Sequence, residues 1–296
     1  MQSLSQPKAL PVLRVAAAQI AERAETESDD DVLCAVRAHA EAASDRGVGL
    51  LIFPEMSLTG YSISPKLTAS RAQPREGPLL QAVAAISREV GVALCVGYAE
   101  RPAGSDLIFN ALAVVDEEGQ LVHHYRKTHL YGEGELALYT PGGAEQLATF
   151  TLGGLQIGTL ICMDCEYPEP ARLLALQGAE LLLIPTALAA GPLERLTPTC
   201  VIPTRALENH VHICYCNYNG AATGEHPAFC GRSAVVGPDG IDLARAAGPE
   251  AHHRGREELS KIVDAVVERT AFVADIERNP YLMARRPKLY GPLSAL

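Results

Sequence analysis

The sequence predicts an α/β fold, with a mixed sheet or two sheets covered by helices, in one domain. Three observations carry that reading. Apolar runs of strand length alternate with helical stretches that open on Ser-Asp or Gly-Pro starts and close at glycines. Several of these runs meet across tight turns, so the sheet cannot be all parallel. The 296 residues are 48% hydrophobic and 20% charged, ample for a sizeable core, and no Pro- or Ser-rich linker or fixed-period repeat divides them. The domain is expected to span residues 1–296, with its core at about 12–277 and a tail at 278–296.

Taken in order, Val12 to Ile20 reads as a first strand. Ser28 followed by three aspartates offers an N-cap with acids in the first turn, and the helix runs to about Arg46, stopping at Gly47. Val48 to Pro54 is a short apolar strand ending at Glu55, and Met56 to Arg75 is polar and irregular. Gly77-Pro78 starts a second helix that ends at Gly91, and Val92 to Tyr98 is a strand. Ile108 to Asp116 and Gln120 to Arg126 form a hairpin, followed by loop through Gly143. Leu147 to Leu152 and Leu155 to Ile161 form another across Gly153-Gly154. A helix opens at Pro168, Glu180 to Pro185 is a strand, and Leu193 to Asn209 is a Pro-interrupted helical stretch. Val211 to Asn217 and Ser233 to Val236 are strands. Arg256 to Arg269 reads as a charged amphipathic helix, a surface helix or a subunit contact, before a last strand, Ala271 to Ile276.

Charge and hydropathy exclude several functions. The net charge is −10, from 25 basic and 35 acidic residues, and no basic cluster exceeds Arg285-Arg286, so neither nucleic acid nor an anionic membrane is an expected partner. No apolar run approaches the roughly 18 residues of a membrane span, and Met1 to Pro11 has no signal-type apolar core, which predicts a cytoplasmic protein. Eight cysteines scattered through apolar segments are expected to be reduced thiols.

Three apolar strands each end in one functional group: Glu55, Lys127 and Cys162. Such strand ends are where sites on open α/β sheets collect. At Cys162 a strand turns sharply toward the Pro168 helix, and open N–H groups with a helix dipole would favour a thiolate. Singly, each has an ordinary reading: a solvated acid, an edge lysine, a core cysteine. Cys162-Met-Asp-Cys165 also has the C-x-x-C spacing of a redox dithiol or half a zinc site. The chain offers no second pair at zinc spacing, because Cys214 and Cys216 have one residue between them. His123, His124 and His129 hint at metal, but His123 and His124 are strand neighbours facing opposite sides, so no metal is expected.

Taken together, these motifs resemble the nitrilase superfamily of carbon–nitrogen hydrolases. The resemblance runs from Val15-Ala-Ala-Ala-Gln19 to Arg286-Pro-Lys-Leu-Tyr290. Phe53-Pro-Glu55-Met-Ser-Leu-Thr-Gly60-Tyr61 is similar to the family's glutamate motif, Tyr125-Arg-Lys127-Thr-His-Leu130 with Asn110 upstream to its lysine motif, and Cys162-Met-Asp164-Cys-Glu166-Tyr-Pro168-Glu169 to its cysteine motif. Arg205 to Asn209, Asn217 to Gly220 and Gly231 to Gly240 also fit. The resemblance implies an α-β-β-α sandwich of two mixed sheets that pairs into a four-layer assembly, hence a homodimer or higher homo-oligomer. It implies a Glu55–Lys127–Cys162 triad, a second glutamate at Glu135 (Glu133 lies close enough to be confused with it), and no cofactor. Tyr61, Met163 and Glu166 fall in these motifs, Thr186 lies in Pro185-Thr186-Ala187 after the next strand, and all four are expected to line the substrate. In this reading Glu55 takes the thiol proton, the thiolate attacks an amide carbonyl, and Lys127 with the Met163 N–H holds the oxyanion.

The branch follows from finer detail. Nitrilases of this resemblance carry Trp-Glu after the cysteine; here Met163-Asp164 stands there, and the chain has no tryptophan. No synthetase domain is expected, which argues against the glutamine-dependent synthetase branch. Many branches that act on carboxylate-bearing substrates place an arginine where this chain has Glu166, and an acid there would favour an amine or neutral amide. The expected function is a cofactor-independent amidase that releases ammonia from a small-molecule carboxamide. The alternatives are an N-carbamoyl amine or amino-acid amidohydrolase, a nitrilase, and a non-catalytic binding protein on the same fold.

Overall fold

Apolar runs build two six-stranded sheets stacked face to face. The structure, a computed structural model, describes residues 11–191, 195–220, 228–248, 261–269, 276–277 and 279–294. Its elements are β1 (Val12–Gln19), α1 (Asp29–Ser44), β2 (Leu50–Ile52), α2 (Pro65–Arg71), α3 (Pro78–Val90), β3 (Ala93–Glu100), β4 (Phe109–Val115), β5 (Leu121–Arg126) and α4 (Gly132–Leu138) in the first half. They continue as β6 (Phe150–Leu152), β7 (Leu155–Thr159), α5 (Pro168–Leu176), β8 (Leu181–Thr186), α6 (Ile202–Asn209), β9 (His212–Asn217), β10 (Asn219–Gly220), β11 (Phe229–Cys230), β12 (Ala234–Val236), β13 (Asp242–Arg245) and β14 (Lys261–Glu268).

The first sheet runs β14-β1-β2-β3-β4-β5 and the second β13-β12-β9-β8-β7-β6. Each has three parallel strands at its centre, β1-β2-β3 or β7-β8-β9, and antiparallel strands outside them. Central strands buried on both faces read as unbroken apolar runs, which is why Leu50–Ile52 and Leu181–Thr186 lack alternation. Val15, Leu50, Ile52, Leu112 and Tyr125 of the first sheet meet Ile157, Leu181, Leu183 and Val235 of the second in one apolar layer. On the outer face of the first sheet lie α1 and α3, through Val36, Ala40, Leu79 and Val83. On the outer face of the second lie α5 and α6, through Ala171, Leu174, Ile202 and Ala206. The layers are therefore α-β-β-α, as expected.

Local chemistry explains where the elements begin and end. The predicted Ser28 cap is present: its hydroxyl accepts from Asp31 N at 3.2 Å, and the Asp31 carboxylate accepts from Ser28 N at 2.9 Å. Gly91 ends α3 in the left-handed region at φ 72°, where a Cβ would be strained.

Some expectations fail. The charged helix expected over Arg256–Arg269 is not helical where it is described: Lys261–Glu268 is β14, paired antiparallel with β1 along its whole length. Ile262, Val263, Val266 and Val267 are β-branched, and pairing along β1 wins over the helical reading. Ala265 and Val267 pack between the sheets, Ile262 packs outward, and Asp264 binds Arg14 at 2.8 Å and Arg46 at 2.7 Å. The segment before Lys261, and the expected strand Ala271–Ile276 apart from Ile276, lie outside the described residues. Two segments read as loop contain short helices, α2 and α4. Thr197–Val201 forms a wider π-type turn ahead of α6.

Candidate active site

The three strand ends converge. Glu55 follows β2, and its turn is laced to β3: Phe53 N donates to Cys95 O at 2.9 Å, Leu58 N donates to Gly97 O at 2.9 Å, and Gly97 N donates to the Ser57 hydroxyl at 3.1 Å. Met56 has φ 57°, a left-handed conformation that costs a non-glycine residue on the order of 1–2 kcal/mol. The turn sits so close to β3 that a Cβ at Gly97 would lie 2.3 Å from Met56 N and 3.0 Å from the Glu55 carbonyl carbon. Tyr218 fixes the same turn from the second sheet by donating to Glu55 O at 2.8 Å.

Lys127 follows β5, where its N–H donates to Asn110 O on β4 at 2.8 Å. Its side chain is 0% exposed. The Nζ donates to Glu55 Oε1 at 2.7 Å and to Glu135 Oε1 at 2.9 Å. Asn110 Nδ2 also donates to Glu55 Oε1, at 2.7 Å. Glu55 Oε2 is buried and has no hydrogen-bond partner. Glu135 is held further by the Tyr61 hydroxyl at 2.8 Å and by Tyr131 N at 2.8 Å. Glu133, two residues earlier on α4, is exposed, so the acid facing Lys127 is Glu135.

Cys162 follows β7 and has φ 45°. It opens a 3₁₀ turn, Cys162–Glu166, that precedes α5. Asp164 holds that turn and is fully buried. Its carboxylate accepts from Ile161 N at 3.0 Å, the Tyr125 hydroxyl at 2.8 Å, the Thr128 hydroxyl at 2.7 Å and His129 N at 2.8 Å, with His129 Nδ1 at 2.9 Å. Four of those five contacts come from residues flanking Lys127, so one carboxylate locks the cysteine turn of the second sheet to the lysine strand of the first. Sequence reasoning assigned Asp164 no role. Asp164 stands three residues after Ile161, the spacing at which a side chain reaches back to the N–H that precedes a helical turn, and that spacing is the available signal.

The electrostatics separate the groups. Burial raises the Glu55 pKa; Lys127 pulls it down and the Glu135 charge pushes it up, and the net direction is up. Burial would lower the Lys127 pKa, but Glu55, Cys162 and Glu135 outweigh it and hold the ammonium charged. Cys162 corrects an expectation. Its pKa is raised well above the ordinary thiol value, by burial first and the Glu55 charge second, while Lys127 and the Ala187 N–H offset only part. The resting sulfur is a thiol, kept protonated by burial and by the Glu55 charge.

The structure thus gathers Glu55, Lys127, Glu135 and Tyr61 into one hydrogen-bonded cluster beside Cys162. Met163 is in the first turn after the cysteine. Thr186 is buried and donates to Ile184 O at 3.3 Å, within its own strand. Glu166 accepts from the Thr197 hydroxyl at 2.5 Å, and Arg205 donates to Cys165 O at 3.0 Å and Glu166 O at 2.9 Å, which ties the turn to the following helical segment. Cys165 is buried against Leu160, Ala171 and Leu174, a different apolar layer from the one beside Cys162. His123 stacks on Phe150 and bonds the Thr159 hydroxyl at 2.8 Å, while His124 lies 3.3 Å from Glu100, so the two do face opposite sides. Burial lowers the His123 pKa to about 4, leaving it neutral.

Two stacked mixed sheets with an acid, a lysine and a cysteine at their strand ends define the class: the chain is a carbon–nitrogen hydrolase. It belongs to the carbon–nitrogen hydrolase family, whose model matches residues 14–252. A "hydrolase in pqqF 5′ region" of Pseudomonas protegens is 36% identical over 258 residues, 87% of this chain and 85% of that one. An (R)-stereoselective amidase of a Pseudomonas species is 34% identical over 206 residues, 69% of this chain and 71% of that one. Among solved structures, a mutant of the amidase from Nesterenkonia sp. AN1 superposes with TM-score 0.75 at 28% identity, covering 96% of this chain and 97% of that one. In that protein the acetamide moiety of fluoroacetamide is added covalently at the active-site cysteine.

Replacing Lys127 by Met leaves two buried carboxylates facing each other. Breaking a buried pair in this way is expected to cost about 3–5 kcal/mol at pH 7. Without the ammonium, Glu55 loses the charge that pulls its pKa down and rises further in the folded state, so the folded protein binds more protons than the unfolded one. Stability of this variant should therefore recover as pH falls from 7 toward 5, more steeply than in the parent, where Lys127 offsets part of the rise. Urea unfolding at the two pH values checks this, and a loss that does not depend on pH refutes it.

Proposed function

We propose that the chain is an amidase that hydrolyses a small-molecule carboxamide to a carboxylic acid and ammonia through a thioester on Cys162. The observation that carries this reading is Glu55 Oε2, a buried carboxylate oxygen with no partner, in a cluster that already holds Lys127 charged. Because the resting sulfur is protonated, it needs a base, and the raised proton affinity of Glu55 suits it to that task. Glu55 takes the thiol proton as sulfur attacks the carbonyl carbon. The oxyanion is met by the Lys127 ammonium and by the N–H of Met163. The C–N bond breaks, Glu55 returns its proton to the leaving nitrogen, and ammonia departs. Water, deprotonated by Glu55, then attacks the thioester, releasing the acid and restoring the thiol. Glu135 and Tyr61 orient the lysine throughout. The covalent adduct on the cysteine of the Nesterenkonia relative supports a cysteine nucleophile.

All eight cysteines are free thiols, which supports a reducing compartment such as the cytoplasm. Among the described residues, no helix is long and apolar enough to cross a membrane. Self-association is supported by a groove of about 600 Å³ on α5, lined by Leu173, Leu176, Arg172, Arg285, Tyr290 and Leu293. Leu173 and Leu176 are each 46% exposed there, which suits the apolar face of a second copy. Sedimentation equilibrium should find a dimer or larger species that Leu176→Glu weakens; a monomeric parent chain overturns this.

Ammonia release from a panel of carboxamides, N-carbamoyl compounds and nitriles tests the reaction. Carboxamides should be turned over, and Cys162→Ala should abolish the activity; turnover that survives in Cys162→Ala removes the mechanism. In the free enzyme Glu55 must be ionised to act as base. Activity should then fall as pH drops through its raised pKa, placing the acid limb of kcat/KM above the ordinary carboxylate value of 4.5. An acid limb at or below that value would argue against Glu55 as the base.

A further inference from the structure

A second concavity adjoins the cluster. Between α4 and the loop that carries Tyr61 lies a cavity of about 400 Å³. Tyr61, Ile63, Tyr131, Glu133, Leu138 and Tyr139 line it, and Glu135 forms its inner wall. Three tyrosines and two glutamates face it, and no lysine or arginine lines it among the described residues. The two acids are not equivalent. Glu135 is already occupied by Lys127, the Tyr61 hydroxyl and Tyr131 N. Glu133 is exposed and forms no ion pair among the described residues.

Tyr61 links this cavity to the reacting groups. Its hydroxyl bonds the same Glu135 oxygen that accepts from the Lys127 ammonium, whose other partner is Glu55. Its backbone is fixed on the other side, where Glu22 accepts from Tyr61 N at 2.7 Å. A substrate with its carboxamide at Cys162 would run past a fixed tyrosine into a space walled by aromatic rings and ended by an uncommitted carboxylate. Aromatic faces with a nearby carboxylate are the chemistry that holds an ammonium group. The same walls repel a carboxylate and give a neutral alkyl chain only its apolar contact. Glu166, tied to Thr197, does not line this cavity.

We propose that the cavity between Tyr61 and α4 is the subsite for the distal part of the substrate, and that it selects carboxamides bearing an ammonium group, with Glu133 as its counter-charge. The proposal rests on the amidase reading.

The test compares two carboxamides of equal length, one ending in an ammonium and one in a methyl group, on the full chain. The ratio of kcat/KM should favour the ammonium compound by about tenfold, carried by KM. Glu133→Gln and Tyr131→Leu should each lower that ratio by roughly threefold or more. Turnover of both compounds with no preference, or a ratio that neither variant moves, overturns the subsite and leaves the amidase reading standing. If no carboxamide yields ammonia, the amidase reading fails, and calorimetric binding to Cys162→Ala protein decides the subsite separately. Tighter binding of the ammonium compound than of its methyl twin upholds the subsite, and equal binding removes it.

Discussion

One buried ammonium sets the terms for the rest of this molecule. Taking a lysine head group out of water costs several kcal/mol, and only close partners repay it. Lys127 has two, Glu55 and Glu135, at 2.7 and 2.9 Å. Bringing them together requires the ends of β2 and β5, the start of β4 and the middle of α4 to meet. A pair of acids around a single cation is also uneven by design. Glu135 has the Tyr61 hydroxyl and a backbone N–H to stabilise its charge, whereas one oxygen of Glu55 has nothing. The acid with the poorer solvation is the one left able to exchange a proton.

The two sheets divide the chemistry. The first contributes the acid and the ammonium, and the second contributes the cysteine. Neither arrangement helps unless the halves are in register, and Asp164 provides that register. It is a buried carboxylate satisfied by five contacts, four of them from the strand end that carries Lys127. A fully satisfied buried polar network of this kind rigidifies what it joins.

Much of this was legible in the chain, for a physical reason. A central strand must be apolar on both faces, so a Glu, Lys or Cys directly after such a run stands out from its neighbours. Glu55 and Cys162 stand out that way, whereas Lys127 follows β5, an edge strand of mixed polarity, and is legible only from the motif around it. What was not legible depends on partners distant in sequence. Lys261–Glu268 reads as a helix by its charges and becomes a strand only because β1 offers an open edge. The helix α4 has seven residues, too few to announce itself, and closes around Glu135. The choice between Glu133 and Glu135 turns on which side of that helix faces Lys127. The raised thiol of Cys162 follows from burial and from the Glu55 charge, and neither is written in the local turn.

Gly97 has a further consequence. It lies on β3 and touches no reacting group, yet any side chain there would press on Met56 N and the Glu55 carbonyl carbon. Every missense change in its codon adds a Cβ, so the position tolerates none without moving the acid. In genetic terms the gene has a hidden target: a codon whose mutants would be scored as core-strand lesions by location and as catalytic lesions by effect.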